Sequence, residues 1–256
     1  MKTIAENARP SSESLDIVRR ATADILEHIP DDLREPVVEY AKWHTERLAF
    51  DIEHCRAYAP GRRILECGCF PLIGTRALTL AGFDHLEGAD ILADRYTDTS
   101  RKLNLKIRQC NFEVERLPFE DEFFDMVLLN EVFEHLRIDL IFTFSELRRV
   151  LRPGGILTIS TPNLRSAGGI YNFLFRHKAY SCDSEIFEAY ETLSKNGHMG
   201  HVREYTPHEV SAFVEHLQFR PTMIMYRGRY DGKRFGPISR ALSSLRPFFS
   251  LYCERA

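Results

Sequence analysis

Several absences narrow the reading of this chain. No apolar run approaches the ~20 residues that a membrane-spanning helix needs, and the opening MKTIAENARPSSESLD lacks the apolar core of a signal peptide. No charge dominates: 34 Lys and Arg stand against 37 Asp and Glu, for a net charge of -3. That balance disfavours nucleic acid or an anionic membrane as an obligatory partner. Internal repeats and low-complexity tracts are missing. There is no C-x-x-C pair among the six cysteines at positions 55, 67, 69, 110, 182 and 253. Cys67 and Cys69 lie too close, in a strand-to-turn context, for a mutual bridge. The expectation is reduced thiols in a cytoplasmic protein. What is present is 256 residues with 44% hydrophobic content, enough for one large domain with a real core.

Residues 1–11 are polar and read as frayed. Ser11 or Ser12 is placed to cap a helix over 13–28, with apolar residues at three- and four-residue spacing from Leu15 to Ile29. A second helix starts near Leu33, with Pro36 in its first turn and Val37, Ala41, His44, Leu48, Ile52 and Cys55 on one face. Pro60-Gly61 ends it. Trp43 on this helix reads as core. From residue 62 strands and helices alternate, with strands expected at 62–67, 84–89, 105–110, 123–129, 156–160, 219–226 and 248–253. Arg152-Pro153-Gly154-Gly155 stops the helix over 138–151. Residues 162–204 have weak periodicity and read as an insertion that covers a substrate. Thr206-Pro207-His208-Glu209 is a capping-box signature for a further helix.

The most informative stretch is ILECGCFPLIG, residues 64–74: a buried strand, a tight turn and a helix N-terminus. That combination is a nucleotide-binding corner. A dinucleotide fingerprint would place a second Gly where Phe70 stands, and Pro71 removes an N–H donor, so the turn suits pyrophosphate poorly. This disfavours a nicotinamide dehydrogenase. The chain instead resembles class I S-adenosylmethionine-dependent methyltransferases, of the subgroup that includes ubiquinone-pathway O-methyltransferases. The resemblance covers residues 62–160 with an echo to 253, and rests on ILECGC, LEGADI, RQCNFEVERLPFEDEFFDMVLLNEVFEHL, LRRVLRPGGILTISTPN and GHVREYTPHEV in that order.

The resemblance implies an α/β, doubly wound, Rossmann-like fold with a mainly parallel seven-stranded sheet. Residues 1–60 would be an N-terminal helical cap, and 61–256 the S-adenosylmethionine-binding domain with a substrate lid at 162–204. Cofactor contacts are expected from Glu66, Gly68, Cys69, Phe70, Asp90, Ile91, Asn111, Phe112 and Asn130. Asp90, about twenty residues after the glycine turn, would take the ribose hydroxyls. Glu66 would hold the amino acid end or cap the turn. Asn111 stands where the family often has Asp, and its amide can pair with the adenine amino group. Glu131, His135 and His201 are the candidate catalytic residues, and no metal is counted in the site. The E-x-x-E-H group from Glu131 to His135 also resembles the metal-binding arrangement of small-RNA 2′-O-methyltransferases and some ubiquinone-pathway enzymes, where a downstream histidine, here His198 or His201, completes it. His201, Arg203 and Tyr205 would contact the acceptor, or Arg203 would anchor its loop to a carboxylate. Tyr171 to Lys178 would bind an aromatic or anionic acceptor or pack the lid. The implied reaction is O-methylation of a small molecule or a glycan or lipid precursor. The alternatives are an inactive cofactor-binding scaffold and an RNA methyltransferase. The sequence leaves the oligomeric state open.

Overall fold

A computed structural model describes residues 1–6, 9–58, 62–182, 186–196, 200–230 and 235–256. In chain order these form β1 (Lys2–Ala5), α1 (Ser12–His28), α2 (Asp31–Tyr58), β2 (Ile64–Cys67), α3 (Ile73–Leu80), β3 (Leu86–Asp90), α4 (Thr97–Lys102), β4 (Ile107–Gln109), β5 (Phe124–Asn130), α5 (Leu140–Val150), β6 (Leu151–Pro162), α6 (Ala167–Arg176), α7 (Ile186–Asn196), α8 (Pro207–His216), β7 (Phe219–Arg227), α9 (Gly236–Ala241) and β8 (Phe248–Arg255). The expected alternation of strand and helix is present, and the fold is the doubly wound, Rossmann-like α/β fold. Among the described residues its strands number eight rather than seven. The added strand is β1, in the segment read as frayed: Lys2 to Ala5 pair in parallel with Met223 to Tyr226 of β7. A polar segment that pairs on a sheet edge needs no apolar stripe of its own, so its sequence carries no strand signal.

Contacts divide the chain into two units. The first comprises residues 7–128 and 149–155, the second residues 1–6, 129–148 and 156–256. In the first unit, β2 lies between β5 and β3, with β4 beyond β3, and all of these pairings are parallel. The chain therefore steps outward from β2 to β4 and returns to the other side of β2. That reversal creates the switch point at which such sheets bind ligands, beyond the carboxyl ends of the strands. β2 is buried along its whole length. Ser11 caps α1, its hydroxyl accepting from the Ser14 N–H. α1 buries Ile17, Val18, Ala21 and Ile25, and the Asp24 carboxylate meets Arg76 of α3 at 2.6 Å.

α2 begins at Asp31, two residues before the expected start, which carries Pro36 past the first turn. There Pro36 lacks the N–H that would bond the Asp32 carbonyl. The expected stop at Pro60-Gly61 lies outside the described residues. Trp43 is not core: it is 69% exposed. It sits on the outer face of α2, where its indole N–H donates to Glu39, one turn back, at 2.7 Å.

In the second unit β7 lies between β1 and β8, and β6 pairs with β8; both pairings of β8 are antiparallel. The insertion at 162–204 holds two helices that the sequence did not announce, α6 and α7. α8 starts as expected: the Thr206 hydroxyl accepts from the Glu209 N–H, and the Glu209 carboxylate accepts from the Thr206 N–H. Among the described residues no helix is long and apolar enough to cross a membrane.

Candidate functional site

The candidate residues fall into two groups. In the first unit the chain leaves β2 at Gly68, whose φ of 72° is left-handed backbone that favours glycine. The Gly68 N–H donates to the Ala89 carbonyl at 2.8 Å, which fixes the turn against the end of β3. Asp90 is buried there. One carboxylate oxygen accepts from the Phe70 N–H at 2.8 Å and the other from the Leu92 N–H at 2.7 Å. Phe70 stacks on Tyr96 with centroids 5.6 Å apart. Cys69 turns inward: a Cβ on Gly88 would lie 2.9 Å from its sulfur. Only its backbone is free to face a ligand.

Glu66 is buried at the end of β2 and accepts from the Thr75 hydroxyl at 2.6 Å. A Cβ on Gly74 would stand 2.7 Å from the Glu66 Oε1, so glycine there leaves the carboxylate its place at the first turn of α3. Burial, opposed by the Thr75 hydrogen bond, raises the Glu66 pKa to about 7. Asn111 follows β4. Its side-chain oxygen accepts from the Glu113 N–H at 3.3 Å, in a turn closed by its own side chain. Phe112 is buried, whereas Ile91, next to Asp90, is exposed. Asn130 is the last residue of β5 and is half-buried.

The second group gathers after β5. Glu131 has a φ of 55°, a left-handed conformation uncommon outside glycine. That turn lets its N–H donate to the Ser160 carbonyl and its carboxylate accept from the Ser160 hydroxyl, both at 2.8 Å. The 3-10 turn Phe133–His135 follows. Glu134 is buried. Its Oε2 accepts from the Thr161 hydroxyl at 2.9 Å, and its Oε1 has no hydrogen-bond partner among the described residues. Two imidazoles flank that oxygen, His135 Nε2 at 3.9 Å and His201 Nε2 at 3.9 Å. The rings themselves meet edge to face, 5.1 Å apart. Val202 brings its neighbour into place by donating its N–H to the Glu134 carbonyl at 2.8 Å. Burial, then the nearby Glu131 carboxylate, push the Glu134 pKa up to about 8, against the pull of His201. Burial alone would lower the His201 pKa, but its hydrogen bond to Glu204 and the surrounding carboxylates leave it raised.

Two sets of side chains in this group could hold a metal ion: Glu134, His135 and His201, and Cys182, His201 and Glu204. Their bonding separates them. Glu204 is buried and already accepts from the Ser181 N–H, the Ser181 hydroxyl and the Cys182 N–H, and it pairs with His201 Nδ1 at 3.1 Å. Glu134 still offers a buried, unsatisfied oxygen. A carboxylate and two imidazoles suit a divalent transition ion, so only the first set fits.

Of the predicted catalytic residues, the structure thus brings His135 and His201 together, around Glu134, while the Glu131 side chain goes to Ser160. His198 lies outside the described residues. Arg203 pairs with Glu209 at 2.6 Å, the loop-anchoring alternative for that residue. Tyr205 packs on Phe133, with centroids 4.6 Å apart. Tyr171 packs on Phe175 and Phe235, while Phe173 and Phe175 are exposed. The sequence reading missed Ser160, Thr161 and Glu204, whose relation to the site is purely tertiary. The spacing of His201 and Glu204 was the one local hint.

The buried acid at the end of β3 faces a glycine turn beside the switch point of a doubly wound sheet, where such sheets bind their ligands. Residues 65–159 match the family model described as a methyltransferase domain, and over that stretch the chain is similar to S-adenosylmethionine-dependent methyltransferases. A probable S-adenosylmethionine-dependent methyltransferase of Mycolicibacterium smegmatis is 38% identical over 108 residues, which cover 40% of this chain and 39% of that protein. The match thus spans about two fifths of the curated relative's length. Among solved structures, a SAM dependent methyltransferase from Archaeoglobus fulgidus is similar with a TM-score of 0.55 at 16% identity, over 85% of this chain and 98% of that one. Geranyl diphosphate C-methyltransferase from Streptomyces coelicolor A3(2) is similar with a TM-score of 0.53 at 17% identity, over 96% and 99%. At these identities the likeness is one of fold.

Proposed function

We propose that the protein transfers the methyl group of S-adenosylmethionine to an oxygen of a small molecule or of a glycan or lipid precursor, in the cytoplasm. The observation that carries this reading is the meeting of His135 and His201 around the buried Glu134, in a chain that carries a methyltransferase domain. Glu66, the Gly68–Phe70 turn, Asp90, Ile91, Asn111, Phe112 and Asn130 hold the cofactor. Asp90, pinned by two backbone N–H groups, accepts the ribose hydroxyls with little loss of side-chain freedom on binding. The acceptor oxygen attacks the methyl carbon in line, the carbon–sulfur bond breaks, and its electron pair stays on sulfur. The acceptor's proton passes to His135 or His201. Such a base typically adds about 10²–10⁴-fold, and alignment of the reactants supplies up to roughly 7–11 kcal/mol. Cys67, Cys69 and Cys253 are buried thiols outside any disulfide, in keeping with a reducing compartment.

The test is transfer of labelled methyl from the cofactor into a cell extract depleted of small methyl donors, followed by identification of the product. A labelled product with the wild type, lost with His201→Ala, is expected. Asp90→Ala should weaken binding of S-adenosylmethionine at least about tenfold by calorimetry, as befits the loss of a charge-assisted hydrogen-bond pair. Binding without any labelled product would instead favour the cofactor-binding scaffold.

The unsatisfied Glu134 Oε1 supports a second reading of the same residues. Glu134, His135 and His201 would hold a divalent cation, which would polarise an acceptor hydroxyl as a Lewis acid. Binding would require Glu134 to give up its proton, so affinity would rise with pH. Elemental analysis of the purified protein, with methyl transfer that survives chelation, would decide against the cation.

A further inference from the structure

The second unit contains a buried carboxylate that the proposed chemistry has not used. Glu204 is 1% exposed. Three donors from one short segment converge on it: the Ser181 N–H, the Ser181 hydroxyl and the Cys182 N–H, the last at 3.2 Å. Burial would raise its pKa, but the hydrogen bonds from His201 and Ser181 hold it below the ordinary value, so the group is a carboxylate. The fourth contact, 3.1 Å from Glu204 Oε1 to His201 Nδ1, then has one sense: the imidazole carries its proton on Nδ1 and donates it. The other ring nitrogen, Nε2, is the one directed at Glu134. In the neutral ring a proton on Nδ1 leaves Nε2 with a lone pair. That lone pair is what either a base or a metal ligand requires.

We propose that Glu204 is the positioning residue of His201. It fixes the Nδ1–H tautomer and the ring plane, and it ties that choice to the Ser181-Cys182 segment of the insertion. This rests on the reading in which His201 serves the acceptor. Three donors hold Glu204 in place before it meets the imidazole, so the ring is oriented by a preset partner, as outer-shell carboxylates orient histidines elsewhere. The arrangement gives the insertion a role beyond cover. A shift of residues 181–182 would release the carboxylate and with it the tautomer.

The experiment is nitrogen NMR of the full-length protein with 15N-labelled histidine, near pH 9 where an ordinary imidazole is neutral. His201 is assigned by comparison with His201→Asn. The wild type should show His201 protonated on Nδ1 with an unprotonated Nε2. Glu204→Gln, which replaces the acceptor with an amide, should shift His201 towards the Nε2–H form common in free imidazole, and Glu204→Asp should restore part of the wild-type signature. An Nε2–H signature in the wild type overturns the proposal, and that measurement needs no variant to fold. Identical signatures in wild type and Glu204→Gln overturn it as well. Methyl transfer into the extract is read in parallel and should fall about 10–100-fold in Glu204→Gln, the usual size of an outer-shell loss. A changed tautomer with unchanged transfer would support the role of Glu204 and remove His201 from the proposed reaction.

Discussion

Glu66 shows how one residue can serve the fold poorly and a ligand well. It lies at the end of β2 with the Thr75 hydroxyl as its donor and burial as its main burden. Its folded pKa, about 7, lies above the ordinary 4.5. A carboxyl whose folded pKa is raised stabilises the fold fully below its unfolded value, and that contribution is lost as pH rises through the folded one. The difference is worth about 3 kcal/mol at 1.36 kcal/mol per unit. Glu66→Gln keeps the shape and the acceptor for Thr75 without the charge. Without added cofactor, the wild-type urea midpoint should fall between about pH 5 and pH 8, and the variant should lose much less. Parallel pH profiles would show that burial of this charge is not what limits stability. If Glu66 receives the ammonium group of the cofactor, the same variant should bind S-adenosylmethionine more weakly while being the more stable protein at pH 8.

At the scale of elements, α8 and α6 make a contrast. Thr206, Pro207 and Glu209 announce α8 in sequence, and each does the work its position predicts. Thr206→Ala removes the hydroxyl that receives the Glu209 N–H. It should cost about 1 kcal/mol, or about 2–4 °C in melting temperature for a chain of this size. A shift under half a degree would mean that the arm through Glu209 alone sustains the cap. α6 gave no comparable signal. Its sequence, AGGIYNFLFR, has two glycines in the first turn, and Ile170, Phe173, Leu174 and Phe175 are exposed. Ile170, Phe173 and Leu174 stand at i, i+3 and i+4, so the apolar stripe of α6 is its exposed face, while the small and polar Gly168, Gly169 and Asn172 are the buried ones. What fixes α6 is instead a cap, the Ser166 hydroxyl accepting from the Gly169 N–H at 3.0 Å.

At the scale of the molecule, the six N-terminal residues are bound to a strand more than two hundred positions away. Glu6 meets Arg227 at 2.7 Å, across a sequence separation of 221, and both side chains are buried. Arg227 also donates to the Ser250 hydroxyl at 3.1 Å. Arg246 donates to the Glu6 carbonyl at 3.0 Å. Removing one partner of a buried pair leaves the other charge in a poor environment, typically at about 3–5 kcal/mol. Glu6→Ala should therefore lower the urea midpoint far more than Lys2→Ala on the exposed edge of β1. Equal effects would show that β1 is held by its backbone ladder alone.

The sequence by itself determined the class of fold and the strand–turn–helix corner over residues 64–74. These depend on local periodicity, turn chemistry and the order of short motifs, each written within a few tens of residues. Asp90 was legible because a strand, a turn and a following strand set its distance from Gly68. The tertiary structure decided the partners. It chose Glu134 over Glu131 as the carboxylate between two histidines, because a left-handed backbone at Glu131 sends that side chain to Ser160. It turned Cys69 inward and Trp43 outward, and it made a strand of residues 2–5. It also supplied Glu204, whose donors Ser181 and Cys182 lie more than twenty residues away in a stretch without periodicity. Contacts of that kind are set by how elements pack, and packing across long separations leaves no pattern in the residues on either side.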